Sequence, residues 1–582
     1  MKRCPTCNRV ETDEALGYCR VDGTALVVDS GSVNAEAGTS KINASSASSE
    51  IETSILPHKT DADMIRATGP TTVLPTVPTG GTGSLSKPKS RTSMTIGLIA
   101  IAAIALVVAG YLYTSRKTNS AIESIAVLPF ENRGSTSDTD YLGEGLADSL
   151  IFRLSQLPNL KVSPTSSVMK YKGQATDVAA IAKELQVDAI MSGRLMQQGD
   201  DLSISVQLID SRNNKLIWAE QYERKMSDLL ATQREIARTI VQKLQLKLAG
   251  DEARGITKKY TDSNEAYQLY LKGRYHYAKR TRDDFQKGID YFQRAVELDP
   301  TFALAYAFIA DSYASMPAYP FLSPTDAFPK AKAAANRAVE IDPALPEAHT
   351  ALGYSLGLYD WKWAEAEREF KRAIELDEKN SLAHVRFAIS YYLPTGRIDE
   401  AIAETERAVE LEPVNLAARA NLSWAYRMRG RNAEAVGQGE KLRDLEPDFV
   451  LGLYQLGLAY IGSGMYNEAV ALAEKRLQSD PDNQLMLQVQ GYANAKLGKR
   501  DKANLIILRF KEMSKTQYVM SFFVATIHAA LDEKDKAFVE LENAYRQRDW
   551  RLSAALKKEP LIESLRDDAR YKDLLKRMNL SD

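Results

Sequence analysis

Cysteine is almost missing from this chain. Three occur in 582 residues, Cys4, Cys7 and Cys19, and none follows them. An odd, clustered set is a poor disulfide framework. A cysteine-free body is indifferent to the redox state of its surroundings. A charge imbalance is missing as well: 75 Lys and Arg face 76 Asp and Glu, a net charge of -1. That leaves no global basic field to attract nucleic acid. Histidine is scarce, at five residues, and the first is His58. Residues 122–249 contain neither histidine nor cysteine. Gly143-Glu144-Gly145, ahead of a helical pattern, lacks the third glycine and the lysine of a phosphate-binding loop and reads as a helix-entry turn. These absences argue against an enzyme and against a small-molecule substrate. Length alone allows several domains.

Long apolar runs are rare, and residues 94–113 are the exception. The run carries no charge, and its 20 residues at ~1.5 Å rise reach about 30 Å, the thickness of bilayer hydrocarbon. Tyr111 and Tyr113 mark one end, Lys87, Lys89 and Arg91 precede it, and Arg116 and Lys117 follow it. The sequence therefore predicts one transmembrane helix in an inner (cytoplasmic) membrane. Three basic residues against two favour a cytoplasmic amino terminus, with residues after 113 periplasmic or otherwise extracytoplasmic. A thiol-bearing head fits that orientation.

Within residues 1–26, Cys4-Pro5-Thr6-Cys7 is a C-x-x-C knuckle, and Cys19 lies twelve residues on. Such a turn holds two thiolates at a spacing suited to one tetrahedral zinc. Cys4, Cys7 and Cys19 are candidate ligands; the fourth is open between Asp22 and water. The stretch resembles the zinc-ribbon heads that begin many bacterial membrane and kinase-linked proteins, which run CPxC…fCxxDGtxL. Residues 27–93 are rich in Ser, Thr, Gly, Ala and Pro and carry no apolar period. They are expected to be a disordered linker.

Beyond the apolar run, 124–130 reads as a buried strand, and Leu146, Leu150 and Leu154 recur at helical spacing. A short strand at 160–164 follows. Asp177 is placed to cap a helix over 178–185. Strands at 189–195, 202–208 and 215–222 are joined by turns at Gly199-Asp200 and Asn213-Asn214. A helix over 227–248 closes a compact α/β domain spanning 122–249. The stretches SIAVLPFENRGS, YLGEGLADSLIFRLSQLPNLKV, SGRLMQQGDDLSISVQLID and LIWAEQYER resemble the TolB amino-terminal-like (FlgO-type) domain of bacterial envelope proteins. The resemblance implies a non-catalytic interaction module that precedes helical repeats.

From Asn264 the chain repeats. A small residue falls at Gly273, Ala310, Gly353, Ala388, Ser423, Gly457, Gly491 and Ala525, and the last five steps are 35, 35, 34, 34 and 34 residues. A second recurs at Gly288, Ala331, Ala366, Ala401, Ala435, Ala469, Ala503 and Ala537. Acidic residues close many units, as in Asp342-Pro343, Asp377-Glu378 and Glu412-Pro413. The period is that of the tetratricopeptide repeat. Small residues let two helices approach, and proline stops the second. About eight units over 264–545 predict an α-solenoid in a multidomain, mainly α chain. The second unit is enlarged by a loop at 315–329. Residues 546–582 resemble the closing segment of TolB-like repeat proteins and are expected to cap the last unit.

The concave face of such an array suits an extended peptide or a partner helix. Candidate lining residues are Asn421, Arg427, Tyr454 and Gln455. His276, His349, His384 and His528 sit on separate helices and read as packed or surface residues rather than ligands. Together these readings predict a non-enzymatic, single-pass scaffold of the bacterial envelope whose repeats and α/β module bind protein or peptide partners. The alternative is a one-pass signalling protein that senses an external ligand and signals through a cytoplasmic partner of the head.

Overall fold

A computed structural model describes residues 2–3, 10–11, 27–28, 122–133, 140–157, 159–173, 177–246, 258–413 and 415–581. They fall into two units that divide between Ile96 and Gly97. In the first, β1 (Lys2–Arg3) pairs antiparallel with β2 (Val10–Glu11) and with β3 (Val27–Val28). β3 falls at the start of the expected linker. Cys4, Cys7, Cys19, Asp22 and the apolar run 94–113 lie outside the described residues. Among the described residues no helix is long and apolar enough to cross a membrane, and no cluster of His, Cys, Asp or Glu is arranged to hold a metal ion.

The second unit opens with β4 (Ser124–Val127), β5 (Glu131–Asn132), β6 (Lys161–Val162), β7 (Ala189–Gln198), β8 (Asp201–Asp210) and β9 (Lys215–Lys225), in the order β6-β4-β7-β8-β9 with β5 beside β7. β4 is parallel to β6 and β7, and β7 to β9 form an antiparallel meander. The parallel pairings require crossovers, supplied by α1 (Asp140–Ser155) and α2 (Val178–Leu185); α3 (Leu229–Lys243) follows the meander. Leu202, Ile204, Val206 and Leu208 of β8 point to one buried face, the alternation that fixes its register. Asp177 caps α2, accepting from the Ala179 amide at 3.0 Å. Gly143 and Gly145 lie inside α1, not in a turn before it. A Cβ at 143 would stand 2.4 Å from the Phe130 carbonyl oxygen, and one at 145 would stand 3.2 Å from Leu271. These glycines serve close packing, on β4's end and on the first repeat helix.

Eight helix pairs follow: α4 (Asn264–Lys279) with α5 (Arg282–Leu298), α6 (Ala303–Ser315) with α7 (Pro324–Ile341), α8 (Pro346–Ser355) with α9 (Trp363–Leu376), and α10 (Ser381–Phe387) with α11 (Ile398–Leu411). Then come α12 (Leu416–Met428) with α13 (Asn432–Leu445), α14 (Val450–Gly462) with α15 (Tyr466–Leu477), α16 (Gln484–Lys496) with α17 (Arg500–Met513), and α18 (Ser521–Ala530) with α19 (Lys534–Arg546). The unit is thus mainly helical, with tetratricopeptide-like repeats stacked as a solenoid. The alanines from Ala331 to Ala537 that recur in the second helices are fully buried. Across one pair the Ser423 hydroxyl donates to the Ala435 carbonyl at 2.8 Å. Gly396, Gly430, Gly464 and Gly498 make the turn between paired helices at φ of 73° to 83°, where a side chain would be strained. α8 and α10 run on into π-helical turns, Leu356–Asp360 and Ala388–Tyr392. These are the two units with a step of 35 rather than 34, so the extra residue is absorbed as a wider turn. The expected loop at 315–329 is short, because α7 already begins at Pro324 and runs through Pro329.

The tail holds α20 (Trp550–Ala555), a 3₁₀ turn at Pro560–Leu565 and α21 (Ala569–Arg577). It does more than cover the last pair. The Trp550 indole donates to the Tyr354 hydroxyl at 2.7 Å, the Trp361 indole to the Ser553 hydroxyl at 3.0 Å, and the Trp363 indole to the Met578 carbonyl at 2.9 Å. The tail therefore bridges the eighth pair to the third and closes the superhelical turn.

Candidate functional site

The α/β domain is locked onto the array through α1 and α4. Asp148 takes the Arg274 guanidinium at 2.8 Å. Arg274 also donates to the Tyr270 hydroxyl at 2.8 Å and lies 4.2 Å over the Phe308 ring. The Tyr267 hydroxyl stands 2.6 Å from both Ser149 Oγ and Gln233 Oε1. Farther along, Lys379 Nζ donates to the carbonyls of Leu157 at 2.8 Å and Leu160 at 3.3 Å.

Between these contacts lies a cleft of about 2110 Å³. Pockets for drug-sized molecules run to about 1,000 Å³, so this one has room for a peptide. Its repeat-side wall includes the amino-terminal turns of α10, α12 and α16. Asn380, Asn415 and Asn483 cap these turns, accepting from the amides of Ala383 at 3.1 Å, Ala418 at 3.0 Å and Met486 at 3.1 Å. Because amide side chains satisfy those N–H groups, nearby carboxylates are left to the cleft. Glu412 accepts from Asn415 Nδ2. Glu347 Oε1 receives Asn380 Nδ2 at 3.4 Å, while its Oε2 is buried without a hydrogen-bond partner. Burial pushes the Glu347 and Glu412 carboxyls up to about 7. Burial raises Asp377 as well, and the Asp377 charge adds to the shift of Glu347.

The residues predicted to line an open groove sit elsewhere on the inner face, beneath the tail. Arg427 is 2% exposed and makes a two-pronged pair with Glu559, 1% exposed, at 2.6 and 2.9 Å. Burial opposes the Glu559 charge, but Arg427 outweighs it and holds the carboxyl below its ordinary value. Arg551 lies 4.4 Å over Trp424 and 4.8 Å over Tyr454, and donates to the Tyr454 hydroxyl at 3.3 Å. Gln455 is buried, and Asn421 donates to the Ala417 carbonyl of its own helix at 2.8 Å. What the sequence leaves out is the occupant: this half of the groove is filled by the chain itself. Asp377 and Glu412 were missed because the acids at unit ends were read only as helix stops, and Glu347, in the first turn of α8, was not singled out.

His349 and His384, one unit apart, are equivalent clasps. Their Nδ1 atoms stand 2.6 Å from Glu369 and 2.5 Å from Glu404. Their Nε2 atoms stand 3.0 Å from the Pro343 carbonyl and 2.9 Å from the Glu378 carbonyl. Both ring nitrogens face acceptors, which suits the doubly protonated ring. Burial disfavours that charge, yet the acceptors outweigh it and raise both pKa values. His276 and His528 pair with Asp284 and Glu533 at 2.7 and 2.8 Å.

Three family models match parts of the chain. Residues 120–239 match the second domain of HilA/YgeH-like transcriptional regulators, 325–448 the bacterial transcriptional activator domain, and 452–483 the tetratricopeptide repeat. A protein of Rhizobium meliloti (strain 1021) named "Putative adenylate cyclase 3" is 30% identical over 239 residues, 40% of each chain. The "Transcriptional regulator HilA" of Salmonella typhimurium is 24% identical over 238 residues, again 40% of each. The chain thus spans about 40% of the length of these curated relatives. Among solved structures, Pseudomonas aeruginosa PilF is 20% identical with a TM-score of 0.27, covering 36% of this chain and 93% of that one. The human IFIT1 dimer is 15% identical with a TM-score of 0.38, covering 60% and 76%.

These matches correct several expectations. The α/β domain matches a HilA-like second domain rather than a TolB amino-terminal-like one, and no zinc-ribbon family is matched. The quoted stretches specify an order of strands and helices, and that order alone does not separate the two families. The matched domains are those of transcriptional regulators. The membrane scaffold, the one-pass signalling alternative and the inner-membrane placement with residues after 113 outside are overturned with the resemblance. The expected absence of nucleic acid also loses its support, since near-neutral charge is a weaker argument than two regulator domains.

Proposed function

We propose that this chain acts in transcriptional regulation, and that the α/β domain and repeat array together form its partner-binding arm. The observation that carries the reading is that residues 120–239 and 325–448, each matched to a regulator domain, pack into one unit around a large shared cleft. Two relatives whose printed names denote different outputs, a regulator and a cyclase, match stretches of nearly equal length. The tetratricopeptide architecture favours a protein or peptide as the partner. The reading implies contact with DNA, direct or through the partner.

We keep two further readings as proposals. The arm carries no catalysis of its own; formation of a cyclic nucleotide by the purified chain would overturn this. Cys4, Cys7 and Cys19 hold zinc, with the fourth ligand open between Asp22 and water; equal zinc content in the intact chain and in C4S/C7S would overturn that.

The test of function compares transcripts in cells with the chain, without it, and with D148A/R274A, which loosens the wall of the cleft. Removal should change a defined set of transcripts, and D148A/R274A should change the same set. Identical profiles in all three would sink the proposal.

A further inference from the structure

The inner face of the array pairs its buried charges with care. Arg386 meets Asp311 at 2.8 Å, Arg427 meets Glu559, and Arg274 meets Asp148. Glu347 and Glu412 are the contrast. Both line the cleft. Glu412 has an amide for company, and the remaining charge acting on it is that of Asp148, which repels. Glu347 is offset by Arg274 and Lys258 too weakly to overcome its burial, and one of its oxygens meets nothing. Half-buried carboxylates with little cationic compensation are costly and are relieved by a cation that brings its own hydrogen-bond donors.

We propose that Glu347, Asp377 and Glu412 are the receptor for the cationic side chains of an extended basic peptide segment of a protein partner, laid over the amino-terminal turns of α8, α10 and α12. The proposal rests on the partner-binding reading above and adds the chemistry of the partner. Helix amino termini ordinarily attract anions. At α10 and α12 an amide is already taken by Asn380 and by Asn415, α8 begins at Pro346 without a side-chain cap, and the three acids line the cleft beside these turns. An acidic peptide or a nucleic-acid phosphate would meet repulsion. Of the cations that act on Glu347 and Asp377, Lys379 and Arg274 also hold the α/β domain and Lys258 is paired with Asp342. Glu347 and Asp377 lie at the start and end of the third pair and Glu412 at the end of the fourth, so an extended peptide with basic residues at intervals meets acids on two successive pairs. Lys or Arg bound to a carboxylate in such a site makes a charge-assisted hydrogen bond stronger than its exposed equivalent.

The test uses the full chain and three fluorescein-labelled heptapeptides that alternate alanine with lysine, glutamine or glutamate. Anisotropy should show binding of the lysine peptide and none of the glutamate peptide. In E347Q/E412Q the lysine peptide should bind about tenfold more weakly or worse. E375Q, on an exposed acid outside the cleft, should bind as the native chain does. Equal binding by the native chain and E347Q/E412Q, preference for the glutamate peptide, or no binding by any peptide would each overturn the proposal. A melting temperature of E347Q/E412Q well below that of the native chain would also count against it, because it would mean the acids are paired within the fold. Transcript changes on removal of the chain together with no lysine preference would sink only the ligand class. Lysine preference without transcript changes would sink only the regulatory reading.

Discussion

The first helices of the array have two halves that differ in what meets them. At their middle and carboxy-terminal turns, Tyr354, Trp424, Arg427 and Tyr454 are covered by the tail, and the buried charges are paired. At their amino-terminal turns the same helices face a cleft, and the Glu412 carboxylate is left without a cation. The solenoid is regular, so the asymmetry comes from what is laid against it. A filled half joins the third pair to the tail and closes the ring. An open half leaves the amino-terminal turns lining a cleft.

The largest expected effect breaks the filled half. Arg427→Ala leaves the Glu559 carboxylate buried and unpaired, and should destabilise the chain by about 3–5 kcal/mol. Replacing both partners by apolar residues, as in R427M/E559L, should recover most of that loss, since the pair costs desolvation on both sides. Urea unfolding of the three chains decides it. A loss in the double variant as large as in the single one would show that the pair does more than neutralise itself.

The open half should respond in the opposite sense. Glu347 and Glu412 have folded pKa values near 7, above the ordinary range of about 4.3. Their contribution to stability is fully present below the unfolded value and is lost as pH rises through the folded one, leaving a net cost above it. E347Q or E412Q should therefore gain about 1–3 kcal/mol above pH 7, and the gain should vanish toward pH 4. Unfolding curves across that range measure it. A gain that grows as pH falls would reverse the assignment.

Sequence reasoning reached the repeats because their signal is local. Gly353, Ala388 and Ser423 mark helix approach at nearly fixed steps, and the structure puts their partner alanines at zero exposure. The steps of 35 also encode the two π-helical turns, though nothing in them says whether an extra residue widens a helix or lengthens a loop. The tail was not legible. Residues 546–582 read only as a cap on the last unit, and the partners of Trp550 and Arg551, Tyr354 and Tyr454, lie 196 and 97 residues away in the chain. The helical period places Asn421, Arg427, Tyr454 and Gln455 on the inner side; only tertiary contact says that the side is occupied. The cleft acids failed for a different reason. Glu412 before Pro413 stops a helix in any unit, and its second role appears only when the α/β domain stands across a cleft from it.

A smaller effect compares the repeats that flank the cleft acids. His349 and His384 bind their clasps as cations, with folded pKa values above the ordinary one of about 6.5. Their stabilisation is fully present below that pH and is lost as pH rises through the folded value. H349Q/H384Q should cost about 1 kcal/mol per site at pH 6, and the two chains should converge in alkali. A cost independent of pH would mean that packing, not charge, holds the clasps.

The smallest effect tests how the cleft is kept open. Lys379 reaches from the turn before α10 to the carbonyls of Leu157 and Leu160, so one side chain fixes the distance between the walls. Its ammonium is partly solvated, so K379A should lower global stability by only about 1 kcal/mol. Its local effect should be larger, because Asp148–Arg274 holds the other side and the loss leaves the α/β domain hinged there. Hydrogen exchange should quicken at Leu160 through Val162 while the amides of α12 and α14, under the tail, stay protected. Uniform quickening over both halves would mean that the clamp supports the whole ring, and that the filled and open halves are not independent.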